Sequence, residues 1–369
     1  MADLMTKIGH NCQFATPVLD GAASALLKDG YTIFQTPVLS PDLTFDKVAQ
    51  SPVSLAEIIG TRGFLNQEKM KVITQVWENE FRLRKIDLVV CNFAPTVIQV
   101  ARKRIPVINL GTYWDTPSSL LKEMPRFLNQ EKRIEDTRIL DVLVKVFGRS
   151  RVPETLTRAL HGDSTYIFNE PEFDNFHPRN AKPRAIGITG SQEIIAAAEF
   201  PKGQKVFAYL HPYRKFAINH IKELSKVRYK IEAYVPGFSE EDKKKYASKN
   251  LTFVERQNYQ QMKKKYSVIL HQAGQGMSQN MALLGIGQIL IPTYPEGGIN
   301  STSIKMLGLG TVINPRDHEK VDKVMFEKLI EDMFSKSKKE DIWRVTQTFR
   351  ERKRPQIDQI ILKASEKYI

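Results

Sequence analysis

Residues 267–313 contain the glycines and polar side chains best suited to bind a phosphorylated ligand. An apolar stretch leads to His271, and the turn Gly274–Ser278 follows. Glycines in such a turn remove side chains, so that the backbone can approach a pyrophosphate closely. A helix is predicted to begin in this turn. Its unpaired N–H groups and positive dipole end attract the same anion, and the Ser278 hydroxyl adds a further donor.

The pattern continues beyond this helix. The apolar strand predicted at 288–291 ends in Pro292, and Glu296 and Asn300 follow in a loop and a second helix. Open α/β sheets bind ligands outside the carboxyl ends of their strands, where the glycine turn lies. Two glycines alone would equally suit a turn that only packs a helix on a strand. The full order of elements favours a phosphate site.

Alternating strands and helices position this turn. In the first half, apolar runs predict strands at 11–15, 31–35, 86–91, 107–110 and 166–168. In the second half they predict strands at 205–210, 230–235, 251–254, 267–270, 288–291 and 311–313. Helical stretches lie between them, for example at 19–28 and 67–84. This alternation predicts an α/β fold with two doubly wound, parallel-sheet domains.

A chain of 369 residues suits two domains of ordinary size. We predict a first domain at 1–185 and a second at 200–340, since residues 170–204 are rich in Pro, Gly and Asn, like a linker. The tail at 341–369 is predicted to be helical. It either crosses back to the first domain or covers its own, and the sequence leaves both open.

Composition excludes several classes of protein. Hydrophobic residues make up 41% and charged residues 26%, as in a globular protein. No apolar run has the length of a membrane span, and no signal peptide opens the chain. Cys12 and Cys91 are too few for a disulfide framework or a zinc cage, which favours the reducing cytoplasm.

The net charge of +14 attracts anions, whether nucleic acid, acidic lipid headgroups or a phosphorylated substrate. The basic residues are scattered, so charge alone does not decide between these partners. We expect a cytoplasmic protein, with peripheral contact at an anionic inner membrane face left open, and no nucleic-acid partner.

The site pattern resembles the donor-binding signature of UDP-glycosyltransferase-like enzymes. This signature is His-x-x-Gly-x-Gly, a helix, Gly-x-Gly, a strand ending in Pro, then Glu, Asn and Leu-Gly-x-Gly. Residues 206–212 and 231–237 resemble the first strands of that family's C-terminal domain, and 86–95 and 104–112 a unit of its N-terminal domain. The similarity runs from about Gly9 to about Gly310. It implies the GT-B fold, in which two Rossmann-like domains face a cleft.

The resemblance implies roles for individual positions. The residues that would meet the donor diphosphate are His271, Gly274, Gln275, Gly276, Met277 and Ser278. Glu296 would accept hydroxyl protons from the donor sugar, Arg256 and Gln257 would border the nucleobase, and Tyr209 belongs to the same donor-binding set. The family's ribose-binding Glu is Asn280 here, and its turn Thr is Met277. These departures leave the nucleotide and the sugar open.

The expected reaction is a metal-independent, inverting sugar transfer, since the chain contains no Asp-x-Asp motif. The nucleotide sugar is a co-substrate and no cofactor is expected. Helix dipole, backbone amides and His271 would do the work of a cation. His10 and Asp115 are the two candidate bases, although Asp115 equally suits a helix cap before Pro117. The acceptor, a small molecule, lipid or lipid-linked sugar, is not identified.

The segment Gly9–His10 permits two interpretations. It could be the turn after a first strand, which would carry the family's catalytic His, or the end of a helix leading into the second strand. We favour the helix because Met1–Lys7 is not apolar enough for a strand. About thirty residues of a strand–turn–helix unit would then be missing. We therefore expect a helix at Met1–Lys7 and a strand at 11–15 beside a gap in the sheet or an altered sheet centre.

Two rival functions share this fold. A nucleotide-sugar epimerase would need additional carboxylates and Arg or His converging on the site, which the sequence does not indicate. A non-catalytic or degenerate nucleotide-sugar-binding protein would explain the altered ribose and sugar positions.

Overall fold

The computed structural model describes residues 2–19, 21–39, 41, 43–176, 185–188, 200, 203–212, 216–354 and 357–368. The chain divides into two compact units. The first comprises Met1–Phe168, Phe176–Ile186 and Pro355–Ile369, and the second Asn169–Asn175 and Gly187–Arg354. Much of the predicted linker, at 177–184, 189–199 and 201–202, lies outside the described residues.

The first unit contains five short parallel strands and the helices between them. Its strands are β1 Gln13–Thr16, β2 Thr32–Gln35, β3 Val89–Cys91, β4 Val107–Gly111 and β5 Ser164–Ile167. Its helices are α1 Ala2–Lys7, α2 Gly21–Lys28, α3 Asp46–Gln50, α4 Leu55–Ile59, α5 Gln67–Leu83, α6 Pro95–Ala101, α7 Asp136–Phe147 and α8 Leu156–Ala159, with α16 Ile357–Glu366 near the end of the chain. Side chains of α4 to α8 form its apolar core.

The strands of the first unit fall into two sheets. β1 pairs in parallel with β2, while β3, β4 and β5 form a separate parallel sheet. The predicted helix at the start is present as α1. Gly9 follows it with a positive φ of 99°, and the His10 N–H donates to the Met5 carbonyl at 3.1 Å. These contacts end a helix, so the favoured interpretation of Gly9–His10 is confirmed.

The second unit is built on one six-stranded parallel sheet in the order β11-β10-β9-β6-β7-β8. Its strands are β6 Val206–Tyr209, β7 Ile231–Tyr234, β8 Leu251–Phe253, β9 Val268–His271, β10 Gly287–Leu290 and β11 Gly310–Val312. Its helices are α9 Ala217–Leu224, α10 Glu240–Tyr246, α11 Tyr259–Lys265, α12 Gln275–Leu284, α13 Pro295–Met306, α14 Lys323–Phe334 and α15 Lys336–Arg350. β9 and β10 are buried along their whole length, as expected of central parallel strands with both faces covered.

Two histidines lie in the core of the second unit. His220 on α9 and His318 in the short helix Pro315–Lys320 meet edge to face, with ring centroids 5.4 Å apart. Phe216 and Phe326 flank the His220 ring. Both His220 ring nitrogens are buried without a hydrogen-bond partner among the described residues. Burial lowers the pKa of His220 to about 4 and also lowers the pKa of His318.

Replacing His220 with Phe should make the protein less sensitive to acid. An unfolded histidine takes up a proton near pH 6.5, whereas folded His220 does so only near pH 4. Its contribution to stability is therefore complete above pH 6.5 and is lost as the pH falls toward 4. At pH 5 this loss amounts to about 2 kcal/mol. Urea unfolding at pH 7.5 and pH 5 should show a smaller drop for the variant, and an identical drop in both proteins would contradict this assignment.

Candidate functional site

The glycine turn after β9 leaves the start of α12 open. Gly274 occupies the cap position and has no side chain to bond the helix. Among the described residues, the N–H groups of Gly276 and Met277 have no hydrogen-bond partner. A Cβ atom built on Gly276 would meet nothing within 4 Å. The first turn of α12 therefore presents unpaired amides and a positive dipole end to open space, which suits an anion.

His271 does not face this space as a cation. Its ring is completely buried, and its Nε2 lies 3.0 Å from Gln288 Oε1 on the neighbouring strand. Its Nδ1 accepts a hydrogen bond from the Ala273 N–H at 3.2 Å, so Nε2 carries the proton. Burial lowers the pKa of His271 to about 4, and the ring is neutral. The expectation that His271 would do the work of a cation is wrong, and the ring instead fixes the backbone of the turn.

Gln272 is a turn residue that the sequence did not single out. Its Oε1 accepts a hydrogen bond from the His211 N–H at 3.0 Å, which ties the turn to the segment after β6. Ala273 then adopts a positive φ of 58°, a conformation that costs an L-residue about 1–2 kcal/mol. The sequence could have indicated Gln272, because it is a polar residue at the end of β9, directly before the glycine turn.

Glu296 approaches the start of α12 from the neighbouring helix α13. Its Oε1 accepts a hydrogen bond from the Gln275 N–H at 3.3 Å and lies 3.5 Å from Asn300 Nδ2. Asn300 Nδ2 also donates to the Ala273 carbonyl at 2.9 Å. The predicted sugar-binding carboxylate and the predicted phosphate-binding turn therefore lie together, and the helix start already accepts one negative group.

Several buried polar atoms around α12 have no partner among the described residues. They are Ser278 Oγ, Gln279 Nε2 and Asn280 Oδ1 on the helix, and Thr293 Oγ1 and Ser301 Oγ near α13. Ser278 is completely buried. Asn280 Nδ2 donates a hydrogen bond to the Gly276 carbonyl at 2.7 Å. Buried polar atoms in native proteins are usually paired, so such a group indicates a place for water or ligand.

Aromatic residues lie at the carboxyl ends of β6 and β7. Tyr209 and Tyr234 stack with ring centroids 5.9 Å apart. Tyr259, the first residue of α11, has a pKa raised mainly by burial, while its hydrogen bond with Asn280 and the nearby Arg256 oppose the shift. The structure therefore groups Arg256, Asn280 and Tyr209 around Tyr259, which the sequence had not indicated. Gln257 instead donates its Nε2 to the Glu255 carbonyl at 2.8 Å.

The two candidate bases lie in the first unit. His10 follows α1 and not a first strand, so the argument that made it the catalytic base is wrong. Asp115 Oδ1 accepts hydrogen bonds from the Thr112 N–H at 2.7 Å and the Thr116 hydroxyl at 2.8 Å. It closes the turn after β4. The helix expected after it is absent from this described stretch, so the capping alternative is wrong as well.

The described residues offer neither a metal site nor a membrane span. No group of three or more His, Cys, Asp and Glu side chains is arranged to hold a metal ion there. None of the helices in the same residues combines the length and apolar character required to cross a bilayer.

Solved structures of glycosyltransferases share the fold of this chain. The calicheamicin glycosyltransferase CalG4 superimposes with a TM-score of 0.63 at 15% identity, over 94% of this chain and 88% of that one. The spinosyn rhamnosyltransferase SpnG, complexed with spinosyn aglycone, gives 0.64 at 12% identity, over 99% and 94%. The glycosyltransferase VinC, in complex with dTDP, gives 0.56 at 15% identity, over 100% and 94%.

These likenesses show the fold, and the predicted GT-B class is confirmed. They agree with the resemblance of the sequence to UDP-glycosyltransferase-like enzymes. No family model and no curated protein matches the chain by sequence.

The strained turn residue gives a test of the site geometry. Ala273→Gly should change the free energy of unfolding by less than about 0.5 kcal/mol, because relief of the positive φ offsets glycine's greater freedom in the unfolded chain. Ala282→Gly, at an equally buried position inside α12, should cost about 1–2 kcal/mol. Chemical denaturation measures both. Equal losses would show that the turn does not hold Ala273 in the left-handed region.

Proposed function

We propose that this protein is a glycosyltransferase that moves a sugar from a nucleoside diphosphate donor to an acceptor, without a metal ion and with inversion. The observation that carries the proposal is the uncapped start of α12, with Gly276 bare, beside the carboxylate of Glu296. A diphosphate needs donors of hydrogen bonds, and a sugar needs acceptors for its hydroxyl protons. This site offers both, because Glu296 on α13 contacts the first turn of α12.

The amides of Gly276 and Met277 would bind the leaving diphosphate. As the glycosidic bond breaks, negative charge grows on the departing phosphate oxygen, and oriented N–H groups stabilise it without rearranging. The dipole of α12 adds to this effect. The Glu296 carboxylate accepts a hydrogen bond from the Gln275 amide, and with donor bound it would accept one from a sugar hydroxyl.

The nucleoside would lie over the residues that gather around Tyr259. Stacked Tyr209 and Tyr234 offer an aromatic surface, and Arg256 offers a charged rim. Asn280 presents a single amide oxygen where a carboxylate would bind a ribose diol, so we propose that a deoxyribose is tolerated. SpnG and VinC have been solved with thymidine diphosphate, which supports this choice of donor.

The acceptor side belongs to the first unit. SpnG has been solved in complex with spinosyn aglycone, which supports a small-molecule acceptor here. An inverting transfer also needs a base for the acceptor hydroxyl. Asp115 is the proposed base. It lies in the turn after β4, and catalytic residues are often found on loops that a rigid sheet positions.

A degenerate binding protein of the same fold is the second candidate. The observation in its favour is that His10 ends a helix, where it lacks the position that made it a catalytic candidate. Such a protein would bind the donor and leave it intact.

A thermal-shift panel of UDP, dTDP and GDP, free and as sugar conjugates, tests donor binding. A ligand at a hundred times its Kd stabilises a protein by about 2.7 kcal/mol, which raises Tm by about 5 °C or more for a unit of this size. We expect dTDP or UDP to raise Tm. Gly276→Glu should abolish that rise, because a carboxylate would enter the open space in front of the amides.

Gly21→Glu is the matched control, since Gly21 also begins a helix where a Cβ meets nothing within 4 Å. This variant should respond to nucleotide as the unchanged protein does. If no nucleotide raises the Tm of the unchanged protein, the proposal is overturned. Binding without turnover or hydrolysis of the sugar conjugate would favour the degenerate protein.

Glu296→Gln should distinguish binding of the donor sugar from binding of the diphosphate. Losing a charged hydrogen-bond acceptor should raise the Kd of the sugar conjugate by about 10–100-fold. The Kd of the free diphosphate should stay constant or fall, because one negative charge leaves the helix start. Isothermal titration calorimetry measures both values. A parallel loss for the two ligands would mean that Glu296 only shapes the turn.

A further inference from the structure

Lysines mark the starting edge of the sheet in the second unit. Lys205 and Lys230 directly precede β6 and β7, Lys249 lies two residues before β8, and Lys265 three residues before β9. These four strands are parallel neighbours, so all of them begin at one edge. The contacts agree with this placement. Lys230 Nζ donates to the Lys249 carbonyl at 2.8 Å, and Lys205 and Lys265 both pair with Glu232.

Two helices bring more lysines to the same edge. α10 and α11 return the chain to the starts of β8 and β9, and each carries three consecutive lysines in its last turn. Lys243 is excluded from the group because it pairs with Glu240 at the other end of α10. We call the remaining set the basic edge. It consists of Lys205, Lys230, Lys244, Lys245, Lys249, Lys263, Lys264 and Lys265.

The basic edge carries a large excess of positive charge. Among the residues that the structure describes, these lysines contact one carboxylate, Glu232, which is 15% exposed. Burial opposes ionisation of Glu232, but hydrogen bonds from Lys265, Tyr266 and Lys205 outweigh it and lower its pKa to about 2. Glu232 is therefore charged and neutralises a single lysine. The adjoining basic residues Lys226 and Arg228 pair with acidic residues of their own.

Helix stability explains only part of this arrangement. Lysines in the last turn of a helix favour its negative end. That effect accounts for the lysines that end α10 and α11. It does not account for Lys205 and Lys230, which directly precede β6 and β7. The large apolar side chains that are most exposed lie outside residues 203–270, so the edge attracts by charge alone.

We propose that the basic edge binds reversibly to the surface of an anionic lipid bilayer. Lysines act as point charges, and the attraction of a bilayer depends on their number rather than on a fixed geometry. Nucleic-acid sites commonly add arginine forks and exposed aromatic rings, and the basic edge contains neither. The Gly276 turn lies at the opposite edge of the same sheet. A protein held in this way would therefore keep its donor site open to solution.

Vesicle sedimentation tests the proposal with the full chain. Phosphatidylcholine vesicles with and without phosphatidylglycerol serve as the probes, at low and high salt. Binding should require phosphatidylglycerol and disappear at high salt. The variant Lys244→Gln/Lys245→Gln/Lys264→Gln removes three lysines outside the Glu232 cluster. Because each lysine near such a surface contributes about a five-fold factor, its partition coefficient should fall by about 100-fold.

The matched control is Lys320→Gln/Lys323→Gln/Lys328→Gln, which removes the same charge from another part of the second unit. It should bind vesicles within about three-fold of the unchanged protein, since only lysines near the bilayer contribute. An equal loss in both variants would reduce the effect to net charge and overturn the assignment. Binding without phosphatidylglycerol, or tighter binding of duplex DNA through the same lysines, would also overturn it. The outcome does not depend on sugar transfer.

Discussion

The start of α12 is the constraint on which the rest of the site depends. A helix without a capping side chain leaves its first amides unpaired, and they need a negative partner. The Glu296 carboxylate partly meets this need by accepting a hydrogen bond from the Gln275 amide. Ser or Asp in place of Gly274 would cap this helix through a side-chain hydrogen bond. Because Gly274 has no capping side chain, the helix start has room for a ligand that carries its own negative charge.

His271, Gln288 and Asn300 hold the turn in shape and add no positive charge. His271 is neutral and bonded on both ring nitrogens, Gln288 joins it to the Ser278 carbonyl, and Asn300 holds the Ala273 carbonyl. Ala273 is held in a strained left-handed backbone conformation as part of this geometry. The positive potential of the site therefore comes from oriented backbone groups. This agrees with the proposal that a diphosphate is stabilised by a helix start.

The sequence predicted the fold and the position of the glycine turn, but not the directions of the side chains. Alternating apolar runs located the strands within two or three residues because central parallel strands are buried on both faces. The glycines located the turn, although its left-handed residue is Ala273 and not a glycine. The orientation of His271 depends on Gln288, seventeen residues away along the chain, and no local pattern encodes it. Tyr259 was missed for the same reason, since it joins the site only through tertiary contacts with Asn280.

A crystal structure of the complex with the nucleoside diphosphate that gives the largest thermal shift tests the central claim most directly. The account predicts phosphate oxygens at about 2.9 Å from the amide nitrogens of Gly276 and Met277, a normal N–H···O distance, with Glu296 released from Gln275. A diphosphate bound elsewhere in the protein, with the start of α12 still occupied by Glu296, would contradict it.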